Sequence, residues 1–298
     1  MKSLLKPLIF ALSLLSLSVL ACEMPEMSEY DIVSCFVDDL AKVAKNNKWG
    51  IAHKNGVQII PTQYDDILDF KEGLAGVSQN GKWGYIDKTG KVIIPIQYDF
   101  AFSFLEDLAG VNQNDKWGFV DKTGKIIIPF YYDDIRAFSE GLAGVKQNGK
   151  WEYIDKTGEV VIPSQYDDIR NFSEGLAGVE QGGKWGFIDK TGKVAISFQY
   201  DYAQSFSDGL AGVVQNDKIG FIDKTGRIII PIQYDYAEKF LDGLAKVKQN
   251  GKYGFIDKTG KVIIPIQYNH AWDFTMGKAI VELNGETFYI NKTGKRID

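Results

Sequence analysis

The sequence predicts an all-β protein made of eight copies of one short antiparallel unit, and three observations carry that prediction. The stretch Gly81-Lys82-Trp83-Gly84-Tyr85-Ile86-Asp87-Lys88-Thr89-Gly90-Lys91-Val92-Ile93-Ile94-Pro95 returns at a constant interval of 34 residues, at Trp49, Trp117, Trp151 and Trp185. Further steps land on Ile219, Tyr253 and Thr287, with no insertion anywhere. Such self-similarity is the signature of a repeat architecture. The unit is rich in β-branched residues, ends in proline and is punctuated by glycine, and no window spaces apolar residues at three and four over a dozen positions. Helical repeats of similar period are thereby excluded. Finally, turn signals recur at fixed places, as Glu-Gly, as Asn-Gly or Gly-Gly, and as Asp-Lys-Thr-Gly.

In the phase that starts each unit at its tyrosine, the units run 30–63, 64–97, 98–131, 132–165, 166–199, 200–233, 234–267 and 268–298. Four short strands fit each one. In the fifth, Tyr166 to Phe172 is the expected first strand and Ser173-Glu174-Gly175 a turn. Leu176 to Gln181 is the second, Gly182-Gly183 a hairpin tip, and Lys184 to Asp189 the third. Lys193 to Phe198 is the fourth, reached through Asp189-Lys190-Thr191-Gly192. The aspartate of that turn recurs as Asp87, Asp121, Asp155, Asp223 and Asp257, with Asn291 in the last unit. Each turn offers calcium one carboxylate, whereas the ion takes roughly six to eight oxygens. The expected role is therefore structural: the side chain accepts backbone bonds and the glycine supplies the positive φ.

Pro61, Pro95, Pro129, Pro163, Pro231 and Pro265 lack a backbone donor, which suits an edge strand or a strand end. Gly84 and its equivalents sit inside the third strand, where absence of a side chain lets another backbone or ring approach closely. Glu152 breaks that rule once. The second and fourth strands read as apolar on both faces, which implies sheets stacked face to face. Because one unit cannot hide these surfaces alone, neighbours must do so. Four meandering strands and eight units favour a β-propeller-like ring, with an open β-solenoid as the alternative suggested by the divergent end units.

The first 21 residues stand apart: Lys2 and Lys6 precede an apolar run from Leu8 to Leu20. This is the pattern of an export signal, too short for a membrane span of the mature chain. Val19-Leu20-Ala21-Cys22 resembles the bacterial lipoprotein box, which implies acylation of Cys22 and makes 22–29 a lipid-proximal tether. The rival reading is cleavage after Ala21, leaving Cys22 to pair with Cys35 in an oxidising compartment. Either way the expected location is the cell envelope, lipid-anchored in one case, periplasmic or secreted in the other. Loss of Lys2 and Lys6 with the signal takes the net charge from −5 to −7, with both signs interspersed. No basic stripe follows a nucleic-acid backbone.

The module Lys-Trp-Gly-Tyr/Phe-Ile-Asp-Lys-Thr-Gly-Lys-Val-Ile-Ile-Pro, followed by Gln-Tyr-Asp and Glu-Gly-Leu-Ala, resembles the WG-repeat (KWG) family of bacteria over residues 30–298. Its strand–turn–strand core also looks like the blade hairpin of quinoprotein-type propellers. The family resemblance implies an exported or cell-associated interaction module and transfers no catalytic residue. Trp49, Trp83, Trp117, Trp151 and Trp185 carry the signature.

Little in the sequence points to chemistry. The two histidines, His53 and His270, stand at non-equivalent places in the end units, and no third or fourth metal ligand converges on either. The doublets Asp65-Asp66, Asp133-Asp134 and Asp167-Asp168 point to opposite faces of a strand, so they make no acid–base pair. The expectation is a protein that is no enzyme and takes no cofactor or metal. Tyr64 and Phe70, repeated in the later units, read as core between units rather than as a sugar platform. Positions that vary between units are the better guide to a binding face, and they select Phe100, Tyr202, Tyr236 and Trp272 as ligand contacts. The expected partner is a protein met by a broad rigid surface, with polysaccharide the alternative and an envelope glycosidase a remote third.

Overall fold

The computed structural model describes residues 27–35 and 37–297. Cys22, the signal 1–21 and the tether as far as residue 26 lie outside the described residues. Cys35 is disulfide-bonded. No helix among the described residues is long and apolar enough to cross a membrane.

Eight antiparallel meanders follow one another, seven of four strands and a last one of three, in a propeller-like, all-β arrangement. The second sheet is representative, with strands Asp66–Ile67, Leu74–Gln79, Lys82–Asp87 and Val92–Tyr98 hydrogen-bonded in chain order. Among the described residues each strand pairs only within its own meander, and no strand of the eighth sheet joins the first. The expected ring is therefore not closed by strand exchange. Neighbouring sheets hold together through side chains.

The turns behave as their residues require. Glu72-Gly73 and Asn80-Gly81 have positive φ at both central positions (51° and 90°, 53° and 75°), the geometry of two-residue hairpins. In the Asp-Lys-Thr-Gly turn, Asp121 Oδ1 accepts from Thr123 N at 2.9 Å, Thr123 Oγ1 at 2.6 Å and Lys125 N at 3.0 Å. Asn291 accepts the same three bonds from Thr293 and Lys295. One oxygen thus does all the work, and it need carry no charge. Asp121→Asn is expected to lower the melting temperature slightly, because an ionised oxygen accepts these bonds more strongly than an amide oxygen, and Asp121→Ala to lower it further, with chelator moving neither. A chelator-sensitive melt would restore the calcium reading.

Two strands differ from expectation. The first is two residues long, Asp168–Ile169 in the fifth sheet, where seven were expected. Tyr166 belongs to the preceding sheet, as the last residue of Val160–Tyr166. The fourth strand, Val194–Tyr200, runs beyond the predicted end. Both differences have one cause: the fourth strand of a sheet and the first of the next are separated by one bent residue, at which the chain changes sheets. At the second corner that residue is Asp99. Its Oδ1 takes Lys82 Nζ from the sheet being left, and its Oδ2 takes Asn114 N at 2.8 Å in the sheet being entered. Asp133 and Asp201 repeat the arrangement with Lys116 and Lys184, each at 2.5 Å. The aspartate of Gln-Tyr-Asp is a corner brace.

Proline lies within the fourth strand, on the sheet edge, at a bulge. Trp83 faces Tyr98 and Tyr85 faces Ile94, so Pro95, Ile96 and Gln97 all pass opposite Gly84. A Cβ on Gly84 would lie 2.6 Å from the Ile94 carbonyl oxygen and 2.7 Å from Ile96 Cα. The glycine of the Trp-Gly pair is required by this crossing backbone. Glu152 occupies the equivalent place in the fourth sheet, where Ser164 replaces the larger Ile96 and Val161 is turned outward. In the eighth sheet Phe288 stands there, opposite Val281, and no fourth strand crosses it among the described residues. Arg296 lies over its ring at 4.5 Å.

The expectation that the fourth strand is apolar on both faces is corrected by the same edge position: Val92 is 46% exposed while Ile94 is buried. The second strand does bury both faces. Core clusters span neighbouring sheets, as when Trp83, Tyr85 and Ile94 pack with Ala101, Phe104, Val111 and Val120. An aromatic pair marks every joint after the first, where Ile51 stands in place of the ring. Tyr85 meets Phe104 at 4.8 Å between centroids, and Phe187 meets Phe206 at 4.9 Å. The buried Tyr85 hydroxyl donates to the Phe102 carbonyl at 2.7 Å, as a buried tyrosine should. Tyr64 and its repeats are buried, and Phe104 and the phenylalanines after it likewise; Phe70 is half-buried. A ladder of acids reinforces the joints: Glu72 accepts from the backbone N–H groups of Glu106 and Asp107 (2.7 and 3.0 Å) and pairs with Lys122 at 3.0 Å.

Candidate binding face

Strand register decides which side chains share the variable face. In the third sheet Phe100, Asn112 and Trp117 are cross-strand neighbours and form one row. Equivalent rows are Asp168-Glu180-Trp185, Tyr202-Val214-Ile219, Tyr236-Lys248-Tyr253 and His270-Glu282-Thr287. The residue two beyond the first member lies on the same side of the chain, adding Phe102, Arg136, Arg170, Gln204, Glu238 and Trp272. Each sheet thus presents a short polar or aromatic row above a nearly constant core.

All four residues singled out from sequence are exposed: Phe100 43%, Tyr202 43%, Tyr236 44% and Trp272 49%. They are not one cluster. Phe100 belongs to a group with Trp83 (5.5 Å), Phe102 (5.5 Å) and Trp117 (6.0 Å), in which Phe102 and Trp117 stack at 4.9 Å and 8°. Tyr202 borders Trp185 and lies under the Arg170 guanidinium at 5.1 Å. Arg170 also covers Trp185 at 4.1 Å, and Arg136 covers Trp151 at 4.8 Å. Between the two guanidiniums Asp168 accepts from Arg170 Nη1 at 3.1 Å and Arg136 Nη2 at 3.4 Å. Trp272 has His270 beside it at 6.3 Å. The signature tryptophans are buried or half-buried, Trp151 and Trp185 most deeply.

Sequence reasoning passed over one group. Lys246 replaces the glycine of Leu-Ala-Gly-Val, a position held by Gly76, Gly110, Gly144, Gly178 and Gly212 in other units and by Lys42 in the first. That substitution was the available signal. Lys246 Nζ lies 3.1 Å from Glu238 Oε1 and 2.9 Å from Asp273 Oδ1, and the Tyr236 hydroxyl donates to Glu238 Oε1 at 2.5 Å. The lysine side chain is 10% exposed. A cavity of about 50 Å³ adjoins it, walled by Leu241, Leu244, Phe255 and Phe274. Burial pushes the Glu238 carboxyl up, helped by Asp273. Burial works in the same direction on Asp273, but Glu238 and Lys246 hold that carboxyl below the usual range. Burial, then Glu238, raises the Tyr236 hydroxyl.

The remaining acids have structural duties. Asp66, Asp134 and Asp168 each accept from the next residue's N–H at 2.8 Å, and their doublet partners brace corners. No group of three or more metal-ligating side chains occurs among the described residues. His53 takes the aspartate's place in the first turn, its Nδ1 accepting from Asn55 N at 3.2 Å.

Among solved structures, a eukaryotic initiation factor superposes with a TM-score of 0.64 at 11% identity, over 93% of this chain and 89% of that one. BamB from Moraxella catarrhalis matches with a TM-score of 0.50 at 10% identity, over 91% and 96%. At such identities the likeness is one of fold. No curated protein matches the chain. The profile described as "WG containing repeat" matches residues 28–49, 49–83, 83–117, 117–151, 153–185, 185–218, 219–253 and 253–286. Corner brace, bulge and crossing-strand glycine recur across those segments, and the chain belongs to the WG-repeat family.

Proposed function

We propose that this repeat scaffold is an exported, non-enzymatic protein of the cell envelope that binds a protein partner across its row face. The observation that carries the reading is the contrast between a core repeated almost unchanged and rows that differ in every unit. Natural interfaces are enriched in tyrosine, phenylalanine and arginine, and the rows carry exposed Phe100 and Tyr202 with half-buried Phe102, Arg136 and Arg170 between them. Export is supported by the signal-like N-terminus and by the disulfide at Cys35, a bond of oxidising compartments. Cys22 has one sulfur, so acylation and pairing with Cys35 exclude one another. Intact mass of detergent-extracted protein separates the two.

A second reading rests on exposed Phe100, standing edge-on to the stacked Phe102–Trp117 pair, an apolar cluster suited to contact with a sugar ring. The test is affinity capture with the immobilised exported chain, challenged with envelope extract and separately with a polysaccharide panel. Retention of one protein, lost in a Phe100→Ala, Tyr202→Ala double variant with unchanged melting temperature, is the expected result. Saturable polysaccharide binding competed by free sugar would reverse the ranking. If the folded chain retains nothing from either source, both readings fail.

A further inference from the structure

The Lys246 site has the composition of a reactive centre. A primary amine sits between two carboxylates, on the floor of an apolar cavity, in a position that glycine fills in five other units. The amine and one carboxylate come from different sheets. Lys246 lies on the second strand of the seventh, Leu244–Gln249, and Asp273 follows the first strand of the eighth. The first unit provides a comparison within the same molecule. There Lys42 pairs with Asp69 at 2.8 Å, at equivalent positions. Ser34 stands where Glu238 does, and the Lys42 side chain is three times as exposed, 31% against 10%.

We propose that Lys246 and Asp273 become joined by an isopeptide bond, formed within the folded chain with Glu238 as the proton-carrying carboxyl. Lys246 Nζ already lies 2.9 Å from an oxygen of the carboxylate whose carbon it attacks, and such fixed proximity removes much of the entropic barrier to amide formation. The ammonium of Lys246 passes a proton to Glu238, freeing the lone pair that attacks Cγ of Asp273. Glu238 is suited to hold that proton because burial and Asp273 favour its neutral form. Glu238 then gives that proton to a carboxylate oxygen of Asp273 and relays to the same oxygen the second proton that the nitrogen must lose, so that the oxygen departs as water and the nitrogen keeps the single hydrogen of the amide. In sum one ammonium and one carboxylate become one amide and one water. The carbon–nitrogen bond forms, a carbon–oxygen bond breaks, Glu238 ends as it began, and nothing is oxidised or reduced. Lys42 and Asp69 lack the shuttling carboxyl and stay an ordinary ion pair.

Mass spectrometry of the reduced, denatured full chain tests this. Wild type is expected to be lighter than its sequence by one water, and trypsin to release a branched peptide joining the segments that contain Lys246 and Asp273. A succinimide at Asp208-Gly209 or Asp242-Gly243 also loses water, so the branched peptide is the deciding species. Lys246→Arg and Asp273→Ala are expected to abolish it, Glu238→Gln to slow its appearance at least tenfold, and Lys42→Arg to leave it intact. Folded wild type that keeps its full mass and yields only linear peptides after prolonged incubation would overturn the proposal without reference to any variant.

Discussion

Gly84→Ala is expected to destabilise the protein by about 3 kcal/mol, the upper end of what one added methyl group does to a closely packed site. The added carbon would meet the Ile94 carbonyl oxygen at 2.6 Å and the Ile96 backbone at 2.7 Å. Backbone, unlike the tip of a flexible side chain, cannot turn aside. The same crossing recurs at Gly50, Gly118, Gly186, Gly220 and Gly254, with nearest approaches of 2.4 to 2.7 Å. Glu152 supplies the reverse experiment. The strand above it keeps the usual register, but the Glu152 carboxyl is pushed up by burial, so the fold disfavours its charged form. Glu152→Gly, with Ser164→Ile to refill the strand, is expected to stabilise. Denaturant unfolding followed by tryptophan fluorescence reads both, since each change lies beside a signature tryptophan. A neutral Gly84→Ala would mean that the pair is held for some reason other than the crossing strand.

Acid should unfold the array steeply. Two sets of aspartates are held below their ordinary range. Asp87, Asp121, Asp155, Asp189, Asp223 and Asp257 are lowered first by the hydroxyl of the turn threonine. Asp65, Asp99, Asp133, Asp167, Asp201 and Asp235 are lowered first by the corner lysine. A carboxyl depressed in the folded state stabilises it above the unfolded value, near 3.8 here, and ceases to do so as pH falls through the folded value. Each contribution is small because the groups are exposed and screened. They are felt together because all act in the same direction within the same window. Stability is therefore expected to be flat from pH 7 to 5 and to fall progressively below 4, with added salt weakening the corner pairs throughout. Far-ultraviolet circular dichroism across a pH series checks this. A chain that melts at the same temperature at pH 3 and pH 7 would show that these bonds hold nothing together.

Much of this construction is legible in the sequence, for physical reasons that differ by element. Leu176 to Gln181 and Lys184 to Asp189 could be delimited because hairpin residues with obligatory positive φ stand at their ends. The role of the turn aspartate follows from Asn291, which performs it uncharged. A close approach at Gly84 could be expected from a glycine inside a strand, though not what approaches. The corner at Asp99 was hidden because it is a bend of one residue with neither glycine nor proline to mark it, although the burial phase flips there, with Tyr98 and Ala101 buried on either side of exposed Asp99 and Phe100. The proline bulge was hidden for a related reason: a missing donor marks an edge without saying that the strand goes on. At the candidate face, comparison between units found the exposed residues Phe100, Tyr202, Tyr236 and Trp272. It could not find Lys246, because a charge on an apolar strand looks like an outward-facing residue until the partner carboxylates are located in another unit.

The single-residue corner also bears on how such a chain can vary in length. A corner of one bent residue has no slack, so an added residue there would reverse the facing of the strand after it. The tips are different: Asn80-Gly81 and Asp87-Lys88-Thr89-Gly90 close locally, and whatever they carry need not alter the register on either side. Grafted loops, epitopes or whole domains should be accepted at those tips and refused at Asp99, which makes the repeat a ruler whose gradations are set at the corners.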